Sequence, residues 1–165
     1  MAVGALESNA IGILPGPYSH TMPMLQGRAK TSEAWALGAV LIRDTGEIAE
    51  AAADPVANVI GIAAEALTSA AANKLVLYYP WLPGTVWEAT LEDETNTDHA
   101  LVESNIFTDY GLQVDTGGIW YVDENETTNT SVVILAPKND SDIVNATVRA
   151  RVYFTPILDV MTVDT

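Results

Sequence analysis

The sequence predicts an all-β body, a small barrel or tulip-like sandwich, led by an extended N-terminal arm. Three observations predict it. Short alternating or β-branched runs recur after residue 33, with Gly, Asn, Asp and Thr between them. The 165-residue chain is 48% hydrophobic, much of it Ala and Val, which is enough apolar surface for a core of tightly packed small side chains. Residues 12–30, GILPGPYSHTMPMLQGRAK, hold three prolines and three glycines. Such a stretch suits neither a helix nor a central strand, because proline fixes φ and removes a backbone donor.

The arm is assigned to residues 1–32 and the β-rich body to 33–165, with a finer division of the body into 33–73 and 74–158. Residues 37–43 and 47–51 read as two strands around a turn at Asp44, Thr45 and Gly46. Residues 53–73, ADPVANVIGIAAEALTSAAAN, admit two readings. Asp54 and Pro55 could cap and open a helix. Val59, Ile60 and Ile62 around Gly61 fit a strand followed by an Ala-rich loop or short helix.

From Lys74 onward every run reads as strand. KLVLYYP is a short apolar run. TVWEATLED alternates, with Trp87, Ala89 and Leu91 on one face and Glu88, Thr90 and Glu92 on the other. GIWYVD and SVVILAP follow. In IVNATVRARVYF, Val144, Ala146, Val148, Ala150, Val152 and Phe154 alternate with polar residues, which predicts one long half-buried strand. The result is roughly seven to nine short strands. No internal repeat of fixed period is visible.

Charge bounds the partners. There are 22 acids and seven bases, and the net charge is −15. Bare nucleic acid and anionic membrane are disfavoured, because both need clustered Lys and Arg. The imbalance is uneven: residues 1–32 hold one acid, Glu7, and the bases Arg28 and Lys30, so nearly all the acidity lies in the body. With no cysteine, thiolate metal sites, disulfides and cysteine nucleophiles are excluded. No run is apolar enough to span a membrane, and residues 1–15 lack a basic n-region. The Asn-x-Ser/Thr sequons at Asn125, Asn129, Asn139 and Asn145 are expected to be chance.

Residues that could carry chemistry form weak patterns. His20 and His99 are the only histidines, and nothing in their spacing makes them converge on a metal. EDETNTDH (92–99) and DENE (123–126) are acidic, but they lack the alternating ligands and central Gly of a calcium loop and fit solvated turns. Ser19 and His20 lie in a Pro-rich stretch, without the rigid support that a catalytic triad needs. Gly117 and Gly118 lack the helix and Lys of a phosphate loop. Carboxylate pairs are many and none has a site around it. The expectation is a non-enzyme with no catalytic residue, cofactor or metal. Trp87 lies on the apolar face of its strand and reads as core. Trp81, on the proline-bounded corner YYPWLPG, reads as an exposed anchor, with Trp35 a second anchor candidate.

LGAVLIRDTGEIAEAAADPVANVIGIAAEA (37–66), GLQVDTGGIWYVDENE (111–126) and ATVRARVYF (146–154) resemble head decoration (cement) proteins of tailed bacteriophages. The resemblance covers residues 37–156 as a pattern. It implies a small β-barrel or β-tulip body, homotrimers at capsid three-fold positions, and an arm that orders on the shell. The major capsid protein would be the partner and the outer capsid surface the location, after synthesis in the host cytoplasm. Carried onto this chain, the arm is 1–32. Its prolines argue against regular strand addition over 14–24, while 1–13 could still pair. The docking candidates are Tyr18, His20, Met22, Met24, Leu25, Arg28 and Lys30, with Trp35 and Trp81 in subunit contacts. A proline-stiffened arm loses less entropy on docking, and methionines give adaptable apolar contact. The alternative is a fibre-base or surface β-sandwich module that binds glycans through exposed Trp and Tyr.

Overall fold

A computed structural model describes residues 12–17, 22–82, 84–93 and 100–157. The fold is nearly all β: a closed five-stranded barrel plus a second five-stranded sheet. The strands are β1 (Leu14–Pro15), β2 (Leu25–Arg28), β3 (Val40–Asp44), β4 (Glu47–Glu50), β5 (Val59–Ala63) and β6 (Leu75–Pro80), then β7 (Trp87–Glu92), β8 (Asp109–Val114), β9 (Trp120–Asp123), β10 (Val132–Pro137) and β11 (Arg151–Pro156). One four-residue helix, α1 (Ser141–Val144), lies between β10 and β11.

The first sheet runs β2-β6-β5-β3-β4, and it curls until Ala29 meets Ile48 in a parallel bridge that brings the β2 end back to β4. The barrel runs β7-β11-β10-β8-β9 and closes through a parallel β7–β9 pairing. Strand for strand, the two orders are the same. Every other pair is antiparallel in both halves. The registers also coincide. Residues 25–29 fall on 87–91, 40–44 on 109–113, 47–50 on 121–124, 61–63 on 132–134, and 75–80 on 151–156. The molecule is a tandem repeat of one five-stranded unit. Few identities survive at matched positions: Val76 and Val152, Pro80 and Pro156, Glu50 and Glu124.

The halves share one core. Trp81, just after β6, stacks on Trp87 with ring centroids 5.8 Å apart and also meets Phe154 at 6.2 Å. Trp120 Nε1 of the second half donates to Glu50 Oε1 of the first at 2.9 Å, and Asp54 N donates to Leu112 O. The tight turns use left-handed backbone, which glycine adopts freely and the β-branched Thr45 adopts only at a cost. Thr45 and Gly46 have φ of 49° and 89° in the β3–β4 turn, and Gly118 has 79° in the β8–β9 turn.

Several expectations change here. The boundary at 32/33 is not a structural one. β2 is hydrogen-bonded along β6, and β1 lies on β7, Pro15 opposite Trp87. Proline is tolerated there because β1 is an edge strand. Residues 53–73 resolve as strand β5 followed by loop. The long strand over 143–154 does not form. Residues 141–144 turn into α1, and Ala146 and Arg149 take φ of 47° and 53°. Val144, expected to face the core, is 86% exposed. The N-D-S-D tract before Ile143 starts a turn held by backbone bonds, Asp142 N to Asn139 O and Asn145 N to Ser141 O, and only the end of the run pairs, as β11. β8 was not expected as a strand.

Candidate docking surface

Of the nine interface candidates, Tyr18 and His20 lie outside the described residues. Met22 is half-buried and packs against the core. Met24 and Leu25 are 50% and 44% exposed at the start of β2, and Arg28 is exposed at its end. Lys30 Nζ donates to Asp44 Oδ2 at 2.5 Å. That hydrogen bond, with the Asp44 charge, raises the Lys30 pKa. Lys30 is therefore engaged with its own chain.

The two tryptophan candidates are corrected. Trp35 is buried, with its indole N–H on Glu65 O at 3.1 Å and its backbone bridged to Leu67. Trp81 is fully buried. Its ring lies inward on Trp87, where stacking and area burial hold it. All four tryptophans lie in the core.

Charged residues concentrate at two further places. Arg151, 9% exposed, points under β1. Its Nε donates to Glu88 Oε1 at 2.5 Å, and its Nη2 donates to Gly12 O and Glu88 O, each at 3.2 Å. Lys138 Nζ shares Glu88 Oε1 at 2.9 Å. A cavity of about 90 Å³ beside this network is lined by Lys138, Asn139, Asp142, Thr147, Arg149 and Arg151. Cofactor and sugar pockets start near ~300 Å³, so this cavity admits small solutes only. Sequence reading missed the network, although Glu88 and Arg151 both sat inside recognised alternations; nothing in a single strand says which opposite charge lies across from it.

The second place is the barrel seam. Glu92, Asp93 and Asp123 are buried there. Burial raises the Tyr121 pKa well above its ordinary value, and the charges of Asp123, Glu92, Asp93 and Asp115 add to this. Among the described residues no group of three or more His, Asp or Glu is placed to hold a metal ion. In DENE, Glu126 Oε1 accepts backbone N–H groups of Thr128 and Asn129 at 2.7 and 2.6 Å, and these bonds hold its carboxyl below the usual range. That carboxylate organises its own turn, as the Thr/Asn filling predicts.

Among the described residues, Met24 just before β2, with Leu25 and Arg28 on it, forms one exposed rim that joins apolar and basic side chains; Phe107 and Val144 are further exposed apolar residues. No protein-family model matches the chain, and no curated protein matches it.

Proposed function

We propose that the chain is a structural protein of a tailed-phage virion that decorates the outer face of the assembled shell. It does so as a homo-oligomer, docking on the major capsid protein through its N-terminal segment. The observation that carries the reading is the apolar and basic rim of that segment, Met24, Leu25 and Arg28, on an otherwise acidic body. β2 pairs along β6 and so holds these side chains on a rigid element, which lowers the entropy lost on docking. The resemblance of residues 37–156 to decoration proteins supplies the partner. The acidic body would face solvent and keep particles apart. For the glycan-binding alternative only tyrosine is left for stacking, because every tryptophan is buried.

The test replaces Met24, Leu25 and Arg28 together by Ser and measures co-sedimentation with undecorated shells of the cognate phage. These side chains are exposed, so circular dichroism should show an intact fold. Binding should drop at least tenfold. Undiminished binding by a folded variant would remove β2 from the contact.

A further inference from the structure

The repeat exposes a difference at one edge. On β7, the backbone groups of Val86 and Glu88 point away from β11, and β1 takes them: Leu14 lies opposite Glu88, and Gly16 N donates to Val86 O at 2.8 Å. The matched edge carries Gln26 and Arg28 on β2, with Met24 just before it. Ala29 N donates to Lys74 O, while Lys30 N, one residue on, donates away from β6 to Ile48 O. By strand alternation, the N–H and C=O of Gln26 and Arg28 also point away from β6. Among the described residues no strand covers them. β2 has no proline and no bulge, and Leu25, Gln26 and Arg28 are exposed. Proline and bulges are two of the devices by which natural sheets block an open edge; short length and a charged side chain are two others, and four-residue β2 carries both, the charge being Arg28.

We infer that the β2 edge is a strand-pairing site whose occupant is the β2 edge of a second copy of this chain. The pairing is antiparallel about a two-fold axis at Gly27. Centring on Gly27 sets Gln26 opposite Arg28 of the second copy, and Arg28 opposite its Gln26. Backbone donors and acceptors then match on both sides. This register keeps the two guanidinium groups off one another. Gly27 suits the axis, since the space its side chain would occupy is filled by Ile48 Cδ1 of its own chain. The electrostatics favour this edge over the rest of the surface: β2 carries a base and no acid, so two copies of net charge −15 meet there with the least repulsion. Leu75, 51% exposed and opposite Arg28 on β6, adds apolar contact beside the seam. The contact is small, so association is weak and reversible.

The inference does not depend on shell docking, and it is tested on free full-length protein by sedimentation velocity from about 10 μM to about 1 mM. The wild type should pass from monomer to dimer. Gln26→Glu places a carboxylate opposite Arg28 of the second copy twice over, and should tighten the dimer about fivefold. Gln26→Lys places like charges there and should weaken it about fivefold. Gln26→Lys combined with Arg28→Glu sets Lys opposite Glu twice over and should again tighten the dimer about fivefold relative to the wild type. A chain that stays monomeric at every concentration overturns the inference. So does a dimer or trimer that ignores these exchanges, including one built by residues 1–11 of another copy. Gln26 and Arg28 are exposed, so loss of fold does not confuse the result.

Discussion

The two halves share strand order, direction and register, yet they differ at their seams. The first half returns to its starting strand at Ala29 and Ile48, and β2 is left at the surface. The second half closes over two residue pairs, Leu91 with Val122 and Glu92 with Asp123, and β1 covers the rest of β7. The matched residues follow from this. Gln26 and Leu75, exposed in the first half, correspond to Glu88 and Arg151 in the second, where Gly12 seals the ion pair from above. One added strand thus turns an edge into an interior. Polar groups beneath it must then be matched, because a buried charge without a partner costs several kcal/mol.

The contrast predicts unequal effects of like truncations. Arg151→Ala leaves Glu88 buried beside Lys138 alone, and should cost about 3–5 kcal/mol in urea unfolding. Leu75→Ala, at the matched position, removes a half-exposed side chain and should cost under about 1 kcal/mol. Equal losses would show that β1 does not seal the second seam.

The β5–β6 and β10–β11 pairs sharpen the comparison next. Gly61 matches Val132. A Cβ on Gly61 would run into the backbone oxygen of Tyr79, an atom that cannot step aside. Gly61→Ala should cost about 1–3 kcal/mol. Gly27→Ala meets only Ile48 Cδ1, the far end of a flexible side chain, and should cost less. If Gly61→Ala were the milder of the two, the first half would be more plastic than its register implies.

How much of this was legible depends on the kind of signal. The all-β class and the strands at 40–44, 47–50, 75–80 and 87–92 were legible, because alternation and turn residues are local. The repeat was not, because register is kept by backbone pairing while side chains diverge: Glu88 stands where the first half has Gln26, and Asp109 where it has Val40. β2 was hidden by the prolines around it. The break at Ala146 and Arg149 was hidden inside a run of small and β-branched residues that keeps a period of two without forming a ladder. Trp81 misled because a proline-bounded corner says where the chain turns and not which way the ring points. Within the proposed docking rim, Met24, Leu25 and Arg28 were legible as exposed and apolar or basic. Lys30 looked equally available until Asp44 was found across the β3–β4 turn.

The smallest expected effect concerns the contact between the halves. Glu50, in the first half, accepts the indole N–H of Trp120, in the second. Burial raises the Glu50 pKa above its ordinary value, Glu33 adds to this, and the Trp120 hydrogen bond opposes it. A carboxyl whose folded pKa lies above its unfolded one binds a proton more readily in the native state. Its charged form therefore weakens the fold above that folded pKa, and the penalty fades as pH falls toward the ordinary carboxyl value. Glu50→Gln keeps an acceptor for Trp120 and removes the charge. After allowance for solvent screening of a half-exposed group, it should raise stability by a few tenths of a kcal/mol at pH 7. The gain should vanish by about pH 4, since the wild-type carboxyl is then protonated as well. Thermal melts of both proteins across that range decide it. Parallel curves would mean that Glu50 is fully solvated when charged, and that its charge adds no strain where the halves meet.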